Sequence, residues 1–89
     1  MTTRALRIHG RVQGVGYRAW AAGQAERLGL SGWVRNEPDG TVSALVEGAP
    51  ASIEAMIDAC REGPYAARVT RVDAQDAAPE GAAGFRILG

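Results

Sequence analysis

With 89 residues, 46% of them hydrophobic and 22% charged, the chain has room for one small globular domain, residues 1–89, and its composition argues against disorder despite twelve glycines. Ten basic residues balance ten acidic ones, and a formal charge of zero lacks the basic excess that drives non-specific binding to nucleic acid phosphates. The lone Cys60 allows no intrachain disulfide, no apolar leader follows Met1, and no apolar run could span a bilayer, so a cytoplasmic protein without a membrane partner is expected.

In chain order, residues 4–12 alternate, with Leu6, Ile8, Gly10 and Val12 on one side and Arg7, His9 and Arg11 on the other, the period of a half-buried strand. A glycine-punctuated stretch, residues 10–16, leads into a helix predicted from about Arg18. There Tyr17, Ala21, Ala25 and Leu28 recur at helical spacing, and Gly29 supplies a stop. Gly23 inside this helix costs about 1 kcal/mol relative to alanine, so tertiary packing must hold it. Residues 30–36 and 41–47 read as strands joined by Glu37-Pro38-Asp39-Gly40. Proline presets φ and glycine permits a positive φ, which predicts a hairpin of antiparallel strands, with Val42, Ala44 and Val46 on one face. Gly48-Ala49-Pro50 ends the second strand. Ile53, Met56, Ile57 and Cys60 then trace an i, i+3, i+4, i+7 stripe, the clearest helix of the chain, stopped by Gly63-Pro64. Residues 68–73 supply a strand around Val69 and Val72, an Ala/Gly-rich loop carries Pro79, and Phe85, Ile87 and Leu88 predict a short last strand. The order βαββαβ plus a strand predicts a ferredoxin-like α+β sandwich, an antiparallel sheet with both helices on one face.

The loop Gly10-Arg11-Val12-Gln13-Gly14-Val15-Gly16-Tyr17-Arg18 joins the first strand to the first helix. Glycines let successive main-chain N–H groups converge, and a helix start adds unpartnered N–H donors at the positive end of its dipole, which together form an anion cradle. Arg18 would add a guanidinium fork to those donors. Read from the residues alone, the stretch serves equally as a tight strand-to-helix turn with Arg18 solvated. Gly14, Gly16 and Ala19 also satisfy the dinucleotide pattern G-x-G-x-x-G/A, with Glu37 near the place of an acidic ribose ligand. The following hairpin turns straight back, however, and so short a chain cannot build a doubly wound sheet.

Loop and hairpin together resemble the acylphosphatase family. Its first signature, roughly G-x-V-Q-G-V-x-[F/M]-R, is met by Gly10, Val12, Gln13, Gly14, Val15 and Arg18. Its second, roughly G-[F/Y/W]-V-[K/R]-N-x-x-x-G-x-V with a later glycine, is met by Gly32, Trp33, Val34, Arg35, Asn36, Gly40, Val42 and Gly48. Leu28-Gly29-Leu30, Gly63-Pro64 and Phe85-Arg86-Ile87 extend the similarity over essentially the whole chain. Tyr17 stands where the family usually has phenylalanine or methionine, so its hydroxyl must find a partner or reach solvent, and Ala21 stands where many members carry threonine.

The resemblance implies a hydrolase that cleaves acyl phosphates, the mixed anhydrides of a carboxylic acid and phosphate, without metal or cofactor. By motif position it implies that Gly14, Val15, Gly16, Tyr17 and Arg18 bind the phosphoryl group, and that Asn36 positions the attacking water. The chemistry agrees: phosphoryl transfer spreads charge over oxygens that N–H donors and a guanidinium can stabilise, and a carboxylate leaves with little acid assistance. An amide can hold a water by accepting and donating hydrogen bonds. Asn36 also suits the start of a hairpin through its turn preference alone. A non-catalytic ferredoxin-like module for a phosphate-bearing ligand or a protein partner would keep the cradle and have no need of Asn36. A monomer is expected. Of the remaining residues, His9 reads as a solvated or cross-strand histidine, Cys60 as core, Trp33 as packed on the sheet and Trp20 as a partly exposed lid near the loop. Arg4, Arg7 and Arg11 read as a solvated strand face, with Arg11 adding positive potential to the site.

Overall fold

The alternating N-terminal segment forms β1 (Thr2–Arg11), and the glycine loop delivers it into α1 (Tyr17–Arg27). The predicted hairpin is β2 (Ser31–Asn36) and β3 (Val42–Gly48), followed by α2 (Pro50–Glu62), β4 (Arg68–Asp76) and β5 (Phe85–Leu88). This computed structural model describes residues 1–89.

The five strands make one sheet in the order β4-β1-β3-β2-β5. Each βαβ crossover skips one position, so β3 lies between β1 and β2, and β1 lies between β3 and β4. The pairs β1–β3, β1–β4 and β2–β3 are antiparallel, as expected. β5 is not: it runs parallel to β2, with Val34 beside Ile87 and Arg35 beside Leu88, so the sheet is mixed. β4 runs opposite to β2, and a connection that reverses the chain once while crossing to the far edge delivers β5 parallel to β2. Glu47 catches that connection from the end of β3. It is 4% exposed and accepts main-chain N–H bonds from Glu80 at 2.9 Å and Ala82 at 3.3 Å, and the Thr3 hydroxyl at 3.3 Å. Burial alone would raise its pKa, but the N–H groups of Glu80, Ala82 and Gly81 and the Thr3 hydroxyl outweigh it and hold the carboxyl below the usual range.

Leu6 and Ile8 of β1, Val34 of β2 and Val42, Ala44 and Val46 of β3 meet Tyr17, Ala21 and Ala25 of α1 and Ile53, Met56, Ile57 and Cys60 of α2. Each large aliphatic side chain buried there contributes about 1.5–3 kcal/mol. The Tyr17 hydroxyl finds its partner inside this core, donating to the Cys60 carbonyl at 2.8 Å. That carbonyl belongs to the last turn of α2, where no intrahelical donor remains, so the bond both satisfies it and ties the two helices together. Burial raises the pKa of the Tyr17 hydroxyl far above its ordinary value and pushes the Cys60 thiol up to about 11.

The other face of the sheet carries no helix. β3 is nevertheless buried on both sides, because Ser43, Leu45 and Glu47 are covered by neighbours on that face. Trp33 lies there beneath the Arg35 guanidinium, 4.6 Å from its ring centroid, and donates its indole N–H to Glu80 at 3.0 Å. His9 is cross-strand, 3.1 Å from Asp73. The expected arginine face divides: Arg4 shares the parity of Leu6 and Ile8, and approaches Glu54 of α2 at 4.0 Å and Asp76 at 3.4 Å, on the helix side.

Candidate active site

β1 leaves the sheet at Arg11, and the chain reaches α1 through two left-handed residues, Gly14 at φ 74° and Gly16 at φ 77°. A Cβ at either position would meet no atom within 4 Å. Glycine is therefore required by the backbone conformation, with open space left in front of the loop. Gly16 caps α1 with no side-chain cap, and the first turn holds no acidic residue. The first N–H groups of the helix thus have no side-chain acceptor at the positive end of its dipole.

Arg18, in that first turn, donates through Nη1 to the main-chain oxygens of Leu88 at 3.3 Å and Gly89 at 3.0 Å. The parallel placement of β5 supplies both acceptors, and the remainder of the guanidinium fork stays available to a ligand. Asn36 is the last residue of β2. A recess of about 220 Å³ brings Asn36 together with Gly14, Gly16, Tyr17 and Arg18, between Val12 and Ile87. Tyr17 contributes to its edge while its ring is buried in the core.

Two expected members behave differently. Val15 packs against the core and lines a separate recess with Arg11 and Tyr65, and it is absent from the lining of the recess that holds Arg18 and Asn36. Trp20 is no lid: it is half-buried, tilted against Tyr17 with centroids 5.2 Å apart, and absent from the recess lining.

Gln13 is a residue whose role the sequence did not disclose. Its Nε2 donates to the carbonyl oxygens of Glu37 at 2.8 Å and Thr41 at 2.9 Å, across the mouth of the β2–β3 hairpin. One side chain thereby fastens the start of the glycine loop to the turn that follows Asn36. The signals for it are its place in the first signature and a polar side chain between the buried Val12 and the loop glycines. The two acids of this hairpin are engaged by their own neighbours. Glu37 accepts from the Ser43 hydroxyl and from Arg35 Nε, and Asp39 accepts from the Thr41 hydroxyl at 2.6 Å and N–H at 3.0 Å. These hydrogen bonds hold both carboxyls below their usual range. No group of three or more His, Cys, Asp or Glu side chains comes together in the chain.

A loop of left-handed glycines at a helix start, an arginine and an asparagine in one recess are the residues that the sequence resemblance singled out, and the acylphosphatase family model matches residues 4–87. The chain belongs to the acylphosphatase family. It is 54% identical to an acylphosphatase of Thermococcus kodakarensis over 94% of this chain and 92% of that one. It is 53% identical to an acylphosphatase of Azoarcus sp. over 99% of this chain and 90% of that one. A crystal structure of acylphosphatase from Bacillus subtilis superposes over 100% of both chains with a TM-score of 0.97 at 32% identity. Hydrolysis of acyl phosphates accompanies membership over so much of the chain. No helix of this acylphosphatase is long and apolar enough to cross a membrane.

Proposed function

We propose that this acylphosphatase works through the recess between the glycine loop and the end of β2, with residues 1–89 acting as one domain, as a cytoplasmic monomer, and without metal or cofactor. The phosphoryl oxygens rest on the main-chain N–H groups of the loop from Gly14 to Tyr17, and the Arg18 fork grips them from the side. Asn36 holds a water in line with the bond to the leaving carboxylate. That water forms the new P–O bond as the P–O bond to the acyl oxygen breaks. The carboxylate departs with the bonding electron pair, and the water's proton passes to a phosphate oxygen. No side-chain base is needed, because the leaving group is weakly basic and the developing charge lies on oxygens already surrounded by donors.

The observation that carries this reading is the meeting of Arg18 and Asn36, from separate elements, in one recess of about 220 Å³. Acetyl phosphate hydrolysis in excess EDTA tests it, with turnover far above buffer expected. Asn36→Ala lowers kcat by about a hundredfold with KM little changed, the pattern of a group acting on the transition state. A change confined to KM would remove Asn36 from the water site. Activity that disappears in EDTA and returns with a divalent ion would overturn the metal-free reading.

A further inference from the structure

Beside the phosphate loop lies a second recess, lined by Arg11 at the end of β1, Gly14 and Val15 of the loop, and Tyr65 and Arg68 between α2 and β4. It shares Gly14 with the recess that holds Arg18 and Asn36, so the two adjoin across a single residue. Arg11 and Arg68 are direct partners in the β1–β4 register, just past the irregularity at His9 and Gly10. Like charges placed opposite each other on neighbouring strands destabilise a sheet. Neither guanidinium takes part in any ion pair of the chain, a condition shared with Arg18, Arg27 and Arg86, whereas Arg4, Arg7, Arg35, Arg61 and Arg71 all have acidic partners. Tyr65, fully exposed at the rim, adds an aromatic face. The chain thus holds two uncompensated, mutually repelling cations one residue away from a phosphoryl cradle.

We propose that Arg11 and Arg68 form an acyl-group subsite that selects acyl phosphates whose acyl part carries a second anionic group, a carboxylate or a further phosphate. This rests on the phosphoryl group occupying the Gly14–Arg18 loop. With phosphate seated there, an acyl chain crossing Gly14 brings a distal anion to the paired guanidiniums, and its charge relieves their repulsion. The subsite binds and orients substrate and takes no part in bond breaking.

Two measurements separate this proposal from the hydrolase reading beneath it. Calorimetric binding of 4-phosphonobutyrate and of butylphosphonate, which differ by one carboxylate and need no turnover, reads the subsite directly. About tenfold tighter binding of 4-phosphonobutyrate at low salt is expected, shrinking as salt rises and abolished in Arg11→Gln/Arg68→Gln. Equal affinities in the unaltered protein, or a preference that survives the double substitution, overturn the proposal. Kinetics with succinyl phosphate and acetyl phosphate supply the second readout. The double substitution lowers kcat/KM for succinyl phosphate about tenfold more than for acetyl phosphate. Equal losses on both substrates also overturn it, because they would mean general attraction of phosphate. If neither acyl phosphate is hydrolysed but the phosphonate preference stands, the hydrolase reading fails and the anion subsite remains. Replacing two opposed cations that have no acidic partner leaves Tm unchanged or raised, so folding is not at risk in the double substitution.

Discussion

The groove on the helix-free face of the sheet and the recess at the glycine loop of this acylphosphatase both carry basic side chains, and they differ in what those side chains face. On the helix-free face of the sheet, a groove of about 380 Å³ runs between Arg7, His9 and Asp73 on one side and Trp33 and Arg35 on the other. Each of its basic side chains has a carboxylate neighbour: Arg7 has Asp39 at 3.5 Å, Arg35 has Glu37 at 2.7 Å and His9 has Asp73 at 3.1 Å. The smaller recess at the loop holds Arg18, which takes part in no ion pair with an acidic side chain and donates to the main-chain oxygens of Leu88 and Gly89, and there is no acid in the first turn of its helix. An incoming anion on the open face must displace a carboxylate side chain, whereas at the loop it meets a helix start with no side-chain cap and no acidic neighbour in the first turn. The larger hollow is therefore a surface of satisfied ion pairs, and the smaller one is the place for chemistry. Size is a poor guide when partner charges decide what a cavity can bind.

The sharpest way to break this contrast is to remove the arginine of the smaller recess. Arg18→Ala is expected to lower kcat/KM for acetyl phosphate by about a thousandfold, as for loss of a main transition-state donor, with the circular dichroism spectrum unchanged. Gln13→Ala tests whether the loop needs its tether to the hairpin. It costs about 2 kcal/mol in urea unfolding and also lowers kcat, because the two carbonyls lose a shared donor and the spacing between loop and Asn36 loosens. On the other face, Glu47 predicts a pH effect. Its folded pKa lies below the ordinary value of 4.5, so its contribution is present above that pH and is lost as pH falls through the depressed value. Unfolding free energy should fall less steeply below pH 4.5 in Glu47→Gln than in the unaltered chain. The smallest effect is expected from Arg7→Gln, within about 1 kcal/mol of stability and about twofold in kcat/KM, as for an exposed ion pair. A loss of activity approaching that of Arg18→Ala would erase the distinction between the two regions.

Much of the fold was legible because it rests on local signals. The stripe Ile53, Met56, Ile57 and Cys60 is buried as its spacing required, and Pro38-Asp39-Gly40 turns the chain where turn chemistry demanded. The elements that were misjudged depend on long-range placement. β5 lies parallel to β2 because a loop held by Glu47 carries it across the sheet, and nothing in Phe85–Leu88 encodes that direction. Trp20 was expected at the site from its position off the apolar stripe of α1, yet the ring of Tyr17 draws it against the core. Arg18, Asn36 and Gln13 all stand at motif positions, but the tethering role of Gln13 was not legible, since both of its acceptors are main-chain carbonyls more than twenty residues away.

By itself the sequence determined the element order, the helix-facing core positions, the left-handed glycines of the loop and the family, since each is written in near-neighbour spacing or in a motif. Only the tertiary structure decided which arginines are neutralised and which stay free, how β5 provides the carbonyls that hold Arg18, and where Val15 points. Pairing between charges and the direction of an edge strand depend on residues brought together from across the chain, and that proximity exists only once the sheet has closed over its two helices.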